Sequence, residues 1–401
     1  MKYSFNIFIR LLLAYLENEK LNTDIFIDWN DIILLSRIHN VEGMIYVVLK
    51  NSQIGVPENV MTYLSKMFIA TVRQSINQEN ELSRVIRKFQ QEDIDIVLMK
   101  GIVTKRYFPN PELRTMGDID LLIKESDREK SDYLLKEIGF AFDKRESGAS
   151  VWNYTRGSVL FEVHTSIIYQ QLFLGVNYTE YFKNVLDNVD KIEENVYEMK
   201  KEYHFIYVLV HLAKHLYRTG SGIRMVMDIV VLINEFYDKY DWECIRNELE
   251  KIKLLEFSHN LIYICYKYFN CKVPDEYKKA NDKNCKMLLD YIIKAGVFGQ
   301  YNRDQYSIKY NLNSNGENYD SLSYKVKNLF KIIFPSYETM SSWFGWFRGK
   351  PKWYLPIGWV RRWIINVYYK KYNILKKIKG ATKVNNDAKE HNEIMERIGL
   401  L

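Results

Sequence analysis

Along the first ninety residues the apolar positions recur at intervals of three and four. In "DWNDIILLSRIHNVEGMIYVVLK" Ile32, Leu35, Ile38, Val41 and Ile45 share one helical face, Asp28 stands where an N-cap is expected, and Gly43 marks an expected break between two helices. Ile76, Leu82, Val85, Ile86 and Phe89 repeat the pattern in "VRQSINQENELSRVIRKFQQED". From residue 94 the period shortens. "IDIVLMKG" is a β-branched run closed by Gly101, which predicts a buried strand and a turn. "VTKRYFPNPEL" predicts a short helix ended by Pro109 and Pro111, and "LRTMGDIDLLI" a second strand. "SDREKSDYLLKEIGF" predicts a helix with its N-cap at Ser126 and its C-cap at Gly139. Three strand-like runs follow, "AFDK", "SVWNYTR" and "SVLFEVHTSI", separated by Gly148 and Gly157.

After about residue 170 the helical period returns. "KEYHFIYVLVHLAKHLYRTGSGIRMVMDIVVLINEFYDKYDWECI" predicts two helices joined at Gly220-Ser221-Gly222, and "AKEHNEIMERIGLL" a frayed closing helix. The fold class is α+β: a small mixed sheet with helices on one side, set in a mostly helical chain. A chain of 401 residues exceeds one ordinary hydrophobic core. The expected division is an N-terminal helical region (1–92), an α/β core (93–170), a helical domain (171–298), a polar linker or loop (299–321) and a C-terminal region (322–401).

Composition changes this picture little, and charge changes it at one end. With 47% hydrophobic and 27% charged residues, general disorder is excluded. Cys244, Cys265, Cys271 and Cys285 show no CxxC pair and no histidine spacing suited to zinc. The N-terminal stretch has the outline of a signal peptide, but Arg10 interrupts it and Glu17 and Glu19 follow, which predicts an amphipathic helix and a cytoplasmic protein. Between residues 321 and 383 lie 14 Lys or Arg and a single acid, Glu338, so the net +7 of the chain belongs to this segment. It also holds five of the eight tryptophans. Interleaved basic and aromatic residues suit nucleic acid or an anionic membrane surface, the latter making the protein peripheral to the membrane. The other outcome is a terminal helix packed on the core.

The chemistry concentrates in the short-period segment. In a strand Asp118 and Asp120 point to one face, while Ile119, Leu121 and Ile123 point to the other. Two carboxylates there pack poorly but cradle Mg²⁺ well. Glu162 projects likewise, opposite Val159, Phe161 and Val163. Three such acids can hold two metal ions that activate a hydroxyl and stabilise a leaving pyrophosphate. Lys100 and Gly101 close the first strand where an ammonium and a backbone amide can meet phosphates, and Arg114 offers a second cation.

"LMKGIVTKRYFPNPELRTMGDIDLLI" followed by "FEVH" resembles the uncharacterised bacterial nucleotidyltransferase family of the DNA polymerase β-like nucleotidyltransferase superfamily, over roughly residues 28–235. The resemblance maps onto Lys100 and Gly101 for the nucleotide-binding turn, Arg114 before the second strand, and Asp118, Asp120 and Glu162 for the metals. It implies a nucleotidyltransferase core, Mg²⁺ or Mn²⁺ as cofactor, NTP as substrate and an acceptor hydroxyl on a small molecule, peptide or protein. Two features depart from the superfamily: Gly101 is followed by Ile102 where a second Gly or a Ser is usual, and the third acid is Glu rather than Asp.

Around this set, His164 shares the face of Glu162 and is expected to contact the substrates or to hydrogen-bond within the sheet. His211 and His215 share a helix face, with Arg224 and Asp228 opposite on the next helix, and "HLAKH" lacks the glutamate of a zinc protease. These four are read as a polar seam between two helices, or, by the resemblance, as supports of the cleft. Two other functions fit the acids: a non-catalytic nucleotide-binding or regulatory protein of the same fold, and a nucleotide-sugar glycosyltransferase using "DID" as its metal motif. The helical first ninety residues count against the glycosyltransferase.

Overall fold

The computed structural model describes residues 2–22, 27–143, 150–168, 174–218, 220–297, 322–368 and 386–401. Four helices precede the sheet: α1 (Lys2–Glu17), α2 (Trp29–His39), α3 (Glu42–Asn51) and α4 (Glu58–Gln91). Asp28 caps α2 as expected, its Oδ1 accepting the N–H groups of Asn30 and Asp31 at 3.0 and 3.2 Å. The break before α3 falls at Asn40, not Gly43. Asn40 adopts the left-handed conformation (φ 52°) that asparagine tolerates. Gly43 lies inside α3, where a Cβ would stand 3.1 Å from the Leu113 side chain.

The sheet contains β1 (Ile96–Leu98), β2 (Ile119–Leu122), β3 (Ala141–Asp143), β4 (Val151–Arg156), β5 (Val159–His164), β6 (Val189–Glu193) and β7 (Val196–Met199). A short α5 (Gly101–Thr104) leaves β1, α6 (Arg128–Glu137) crosses from β2 to β3, and α7 (Tyr178–Tyr181) precedes β6. The strand order is β3-β4-β5-β2-β1-β7-β6, with parallel and antiparallel neighbours, so the chain is an α+β protein with one mixed sheet. The β6–β7 hairpin lies beyond the strands that the hydrophobic pattern predicted. Its sequence, "VDKIEENVYEM", carries charges at five of eleven positions, and Asn195 (φ 55°) makes the tight turn. Ser126 also departs from expectation: a 3₁₀ turn over Glu125–Asp127 leads into α6, which starts at Arg128.

Ile96, Leu98, Ile119, Leu121, Phe161 and Val163 form one sheet face, packed with Leu82, Val85 and Phe89 of α4 and Leu134 and Leu135 of α6. Val97, Met99 and Leu122 turn the other way, into a larger core with α8 (Lys201–Arg218) and α9 (Ile223–Phe236), so helices cover both sides of the sheet and not the single side expected. That core continues through α10 (Trp242–Lys251), α11 (Leu255–Phe269) and α12 (Asp282–Ala295). Val60 and Leu64, at the other end of α4, also belong to it.

Helices α8 and α9 meet around Gly220-Ser221-Gly222, as predicted. A Cβ on Gly222 would fall 2.7 Å from Val297 Cα and 3.0 Å from His39 Nδ1, so this close approach needs glycine. The expected linker 299–321 lies outside the described residues. Beyond it are α13 (Leu322–Ile333), α14 (Tyr337–Trp343), α15 (Leu355–Tyr368) and α16 (Asn386–Arg397). The closing helix is packed rather than frayed. Ile394, Met395, Ile398 and Leu400 enter the large core, and the His391 ring pairs with the Tyr291 hydroxyl and lies 3.0 Å from the Tyr217 carbonyl.

Candidate active site

Parallel pairing sets Asp120 of β2 opposite Glu162 of β5 and Leu122 opposite His164. Because side chains alternate, Asp120, Glu162 and His164 leave the sheet on the side away from α4 and α6, towards α8. His164 Nε2 lies 2.8 Å from Asp120 Oδ1 and 3.5 Å from Glu162 Oε2. One ligand atom from each of the three falls within 4.8 Å of the others, a group able to hold a metal ion. Asp118, just before the strand, stands outside this tightest group, although its charge is felt by Lys100 and Arg224. Of the predicted trio of acids, Asp120 and Glu162 share a face beside His164, and Asp118 stands near enough to feel their charges.

Lys100 supplies a cation to the buried carboxylates. Its backbone is held at φ 54° and ψ −125°, a conformation avoided by residues with a side chain. The ammonium bonds Asp120 directly, and both side chains are largely buried. Burial pushes the lysine's pKa down, but the carboxylates, Asp120 foremost, outweigh it and hold the ammonium above its ordinary value. Burial likewise opposes the charge on Asp120, and Lys100 and His164 together hold its carboxyl well below the usual range. Asp118 has no such partner among the described residues. Burial, then the charges of Asp120 and Glu162, push it up to about 6. His164 is net raised: burial disfavours the imidazolium, and its hydrogen bonds to Asp120 and Glu162 prevail. Its Nδ1 is buried without a hydrogen-bond partner among the described residues.

Arg114 binds within the protein. Its Nε donates to Asp228 Oδ1 at 3.0 Å, Nη2 to Asp228 Oδ2 at 2.5 Å and Nη1 to the Thr115 carbonyl at 3.1 Å. Arg224 donates to Thr115 Oγ1 at 2.5 Å. Arg224 and Asp228 therefore brace the segment entering β2, and among the described residues no hydrogen bond joins them to His211 or His215. Gly101 belongs to the same brace. A Cβ there would stand 2.5 Å from Arg114 Nη1, so Gly101→Ala is expected to push the guanidinium off Asp228 and cost about 1–3 kcal/mol. Thermal unfolding reads this directly; an unchanged midpoint would show that the brace yields freely.

Across the acids lies one face of α8, carrying Tyr207, His211, Lys214 and His215. The rings of His211 and His215 sit 4.5 Å apart. Burial, then Lys214 and Lys100, hold His211 well below its ordinary pKa and His215 at about 3, so both are neutral at pH 7. Lys214 escaped the sequence reading, where a lysine in a helix looks like a solvated residue. It is half-buried, and no hydrogen bond or ion pair engages it among the described residues. Burial, then the charges of Lys100 and Arg218, lower it to about 7. The available signal was its position, between two histidines on a helix whose other residues are mostly apolar.

Acids, imidazoles and lysines thus converge between β2, β5 and α8, while Arg114, Arg224 and Asp228 fix the approach to β2. A family model described as uncharacterised nucleotidyltransferase matches residues 26–270, a span that contains all of these groups. No curated protein and no solved structure matches the chain. With well over half of its length inside that match, the chain belongs to the uncharacterised nucleotidyltransferase family.

Proposed function

We propose that this protein transfers a nucleoside monophosphate from an NTP to a hydroxyl of a small-molecule, peptide or protein acceptor. The observation that carries the reading is the pairing of Asp120 with Glu162 on adjacent parallel strands, beside His164, in a chain of this family. The donor set fits a hard divalent cation: carboxylates to ligate it, and an imidazole whose bond to Asp120 fixes the orientation of that ligand. Asp120 and Glu162, with Asp118 beside them, would hold Mg²⁺ or Mn²⁺, which supplies positive charge against the reacting phosphoryl oxygens.

The chain's own groups divide the remaining work. Lys100 from the sheet and Lys214 from α8 bring ammonium charge to the triphosphate, and Gly101 with Arg114 keeps the turn and the approach to β2 in place. Neutral His211 and His215 offer hydrogen-bonding groups to the substrates without repelling the metal. Fixed charges facing the phosphoryl group lower the barrier because they need no reorganisation during reaction.

Calorimetric binding of each of the four NTPs, with and without Mg²⁺, is the first test, followed by pyrophosphate release in the presence of acceptors. Metal-dependent NTP binding is expected. Binding without pyrophosphate release under any acceptor would favour the regulatory reading, and preference for a UDP-sugar would favour the glycosyltransferase. Lys214→Met is expected to weaken NTP binding at least about tenfold, the loss of one charge-assisted phosphate contact. Undiminished affinity in that variant would remove Lys214 from the triphosphate site.

A further inference from the structure

Helices α13, α14 and α15 fold on one another. Met340 and Phe347 are fully buried, and a Cβ on Gly358 would stand 2.5 Å from the Phe347 ring. Arg362 donates to the Ile332 carbonyl at 3.1 Å, and Trp359 Nε1 to the Pro335 carbonyl at 2.8 Å. The inner side of this unit is therefore filled by its own residues.

Its outer side remains apolar. Leu322, Val326 and Phe330 recur at four-residue spacing on α13, and Ile357, Val360 and Ile364 at three and four on α15. These six side chains are 49–77% exposed, and Trp353, in the turn that leads into α15, is 73% exposed. Single exposed apolar residues are ordinary, but two helical stripes in one small unit call for a partner. The surrounding charge is positive: Lys327, Lys331, Lys350, Lys352 and Arg361 are exposed, against the lone acid Glu338.

We propose that this face docks on an anionic membrane surface, with the two stripes sunk into the boundary between headgroups and acyl chains and the basic side chains on lipid phosphates. Apolar stripes flanked by Lys and Arg are the pattern of helices that lie in the interface plane. Net positive charge disfavours a second copy of the same face. Nucleic acid is the weaker fit because five of these seven exposed side chains are aliphatic and offer no stacking platform for bases. No helix among the described residues is long and apolar enough to cross a membrane. The proposal stands whether or not the chain transfers nucleotides.

Co-sedimentation of the full chain with vesicles decides it. The wild type is expected to pellet with vesicles of equal parts phosphatidylcholine and phosphatidylglycerol, to stay in solution with phosphatidylcholine alone, and to release as salt is raised. Val326→Asp and Val360→Asp, both at exposed positions, are expected to weaken vesicle binding at least about tenfold while leaving the unfolding midpoint unchanged. Vesicle binding that neither variant alters would overturn the proposal. So would binding to single-stranded RNA or DNA with no affinity for either vesicle, or a dimer in sedimentation velocity that Val360→Asp dissolves.

Discussion

Asp118→Asn is expected to reduce nucleotidyl transfer by at least about a hundredfold while leaving the protein as stable as the wild type or more so, whereas Asp120→Asn loses activity and stability together. The two residues flank Ile119, Asp118 just before β2 and Asp120 within it, yet their surroundings are opposite. Asp118 forms no direct ion pair among the described residues, and burial with the charges of Asp120 and Glu162 outweighs the pull of Lys100 and His164, so making it neutral relieves repulsion. Asp120 is the carboxylate that Lys100 bonds. Removing its charge strands a largely buried ammonium with only the more distant acids for company, a change that costs about 3 kcal/mol. Denaturant unfolding of both variants beside a pyrophosphate-release assay separates the outcomes. If both variants unfolded at lower denaturant than the wild type, the pair would be structural and the catalytic reading would lose its main support.

Acid is expected to destabilise the protein between pH 6.5 and pH 4, through His39. This side chain is fully buried, its Nδ1 accepting the Ile223 N–H at 3.3 Å and its Nε2 lying 2.9 Å from the Ile293 carbonyl. The neutral ring with its proton on Nε2 satisfies both bonds and joins α2 to α9 and α12. Burial, against the opposing pull of the Ile293 carbonyl, lowers its pKa from 6.5 to about 4. Between those values the unfolded chain binds a proton that the folded chain refuses. The contribution is complete above pH 6.5 and is lost as pH falls towards 4, in all about 3 kcal/mol. His204, lowered to about 4 chiefly by burial, acts in the same direction. Thermal unfolding from pH 7 to pH 4.5 should show a clear fall in midpoint, and His39→Gln a shallower one. Parallel pH profiles for the two proteins would assign the acid sensitivity elsewhere.

What the sequence disclosed follows from the range of the interactions involved. The projection of Asp120 and Glu162 from their strands and the Asp28 cap depend on neighbours within a few residues. Alternation and capping can be read along the chain, and those features appear as expected. The Arg114–Asp228 pair joins residues 114 positions apart, and no local pattern reports it. The bond between Lys100 and Asp120 is equally out of reach of local pattern, because the two become neighbours only once β1 and β2 pair. The β6–β7 hairpin was hidden for another reason: its outward positions are charged and it flanks a sheet whose other strands are strongly apolar. Lys214 needed the fold of α8 over the sheet before it could be told from a surface lysine.

Helix α4 has a consequence for how the protein can be handled and inherited. Its 34 residues extend about 50 Å. One end packs against α3 and enters the large core through Val60 and Leu64, and the other covers the sheet through Leu82, Val85 and Phe89. A fragment starting at residue 93 would carry the acids but leave Ile96, Leu98, Ile119 and Phe161 without the roof that α4 provides. The reactive sheet is therefore not a cassette to be cut out and grafted, and recombination within the first ninety residues reaches it as directly as recombination beside the acids.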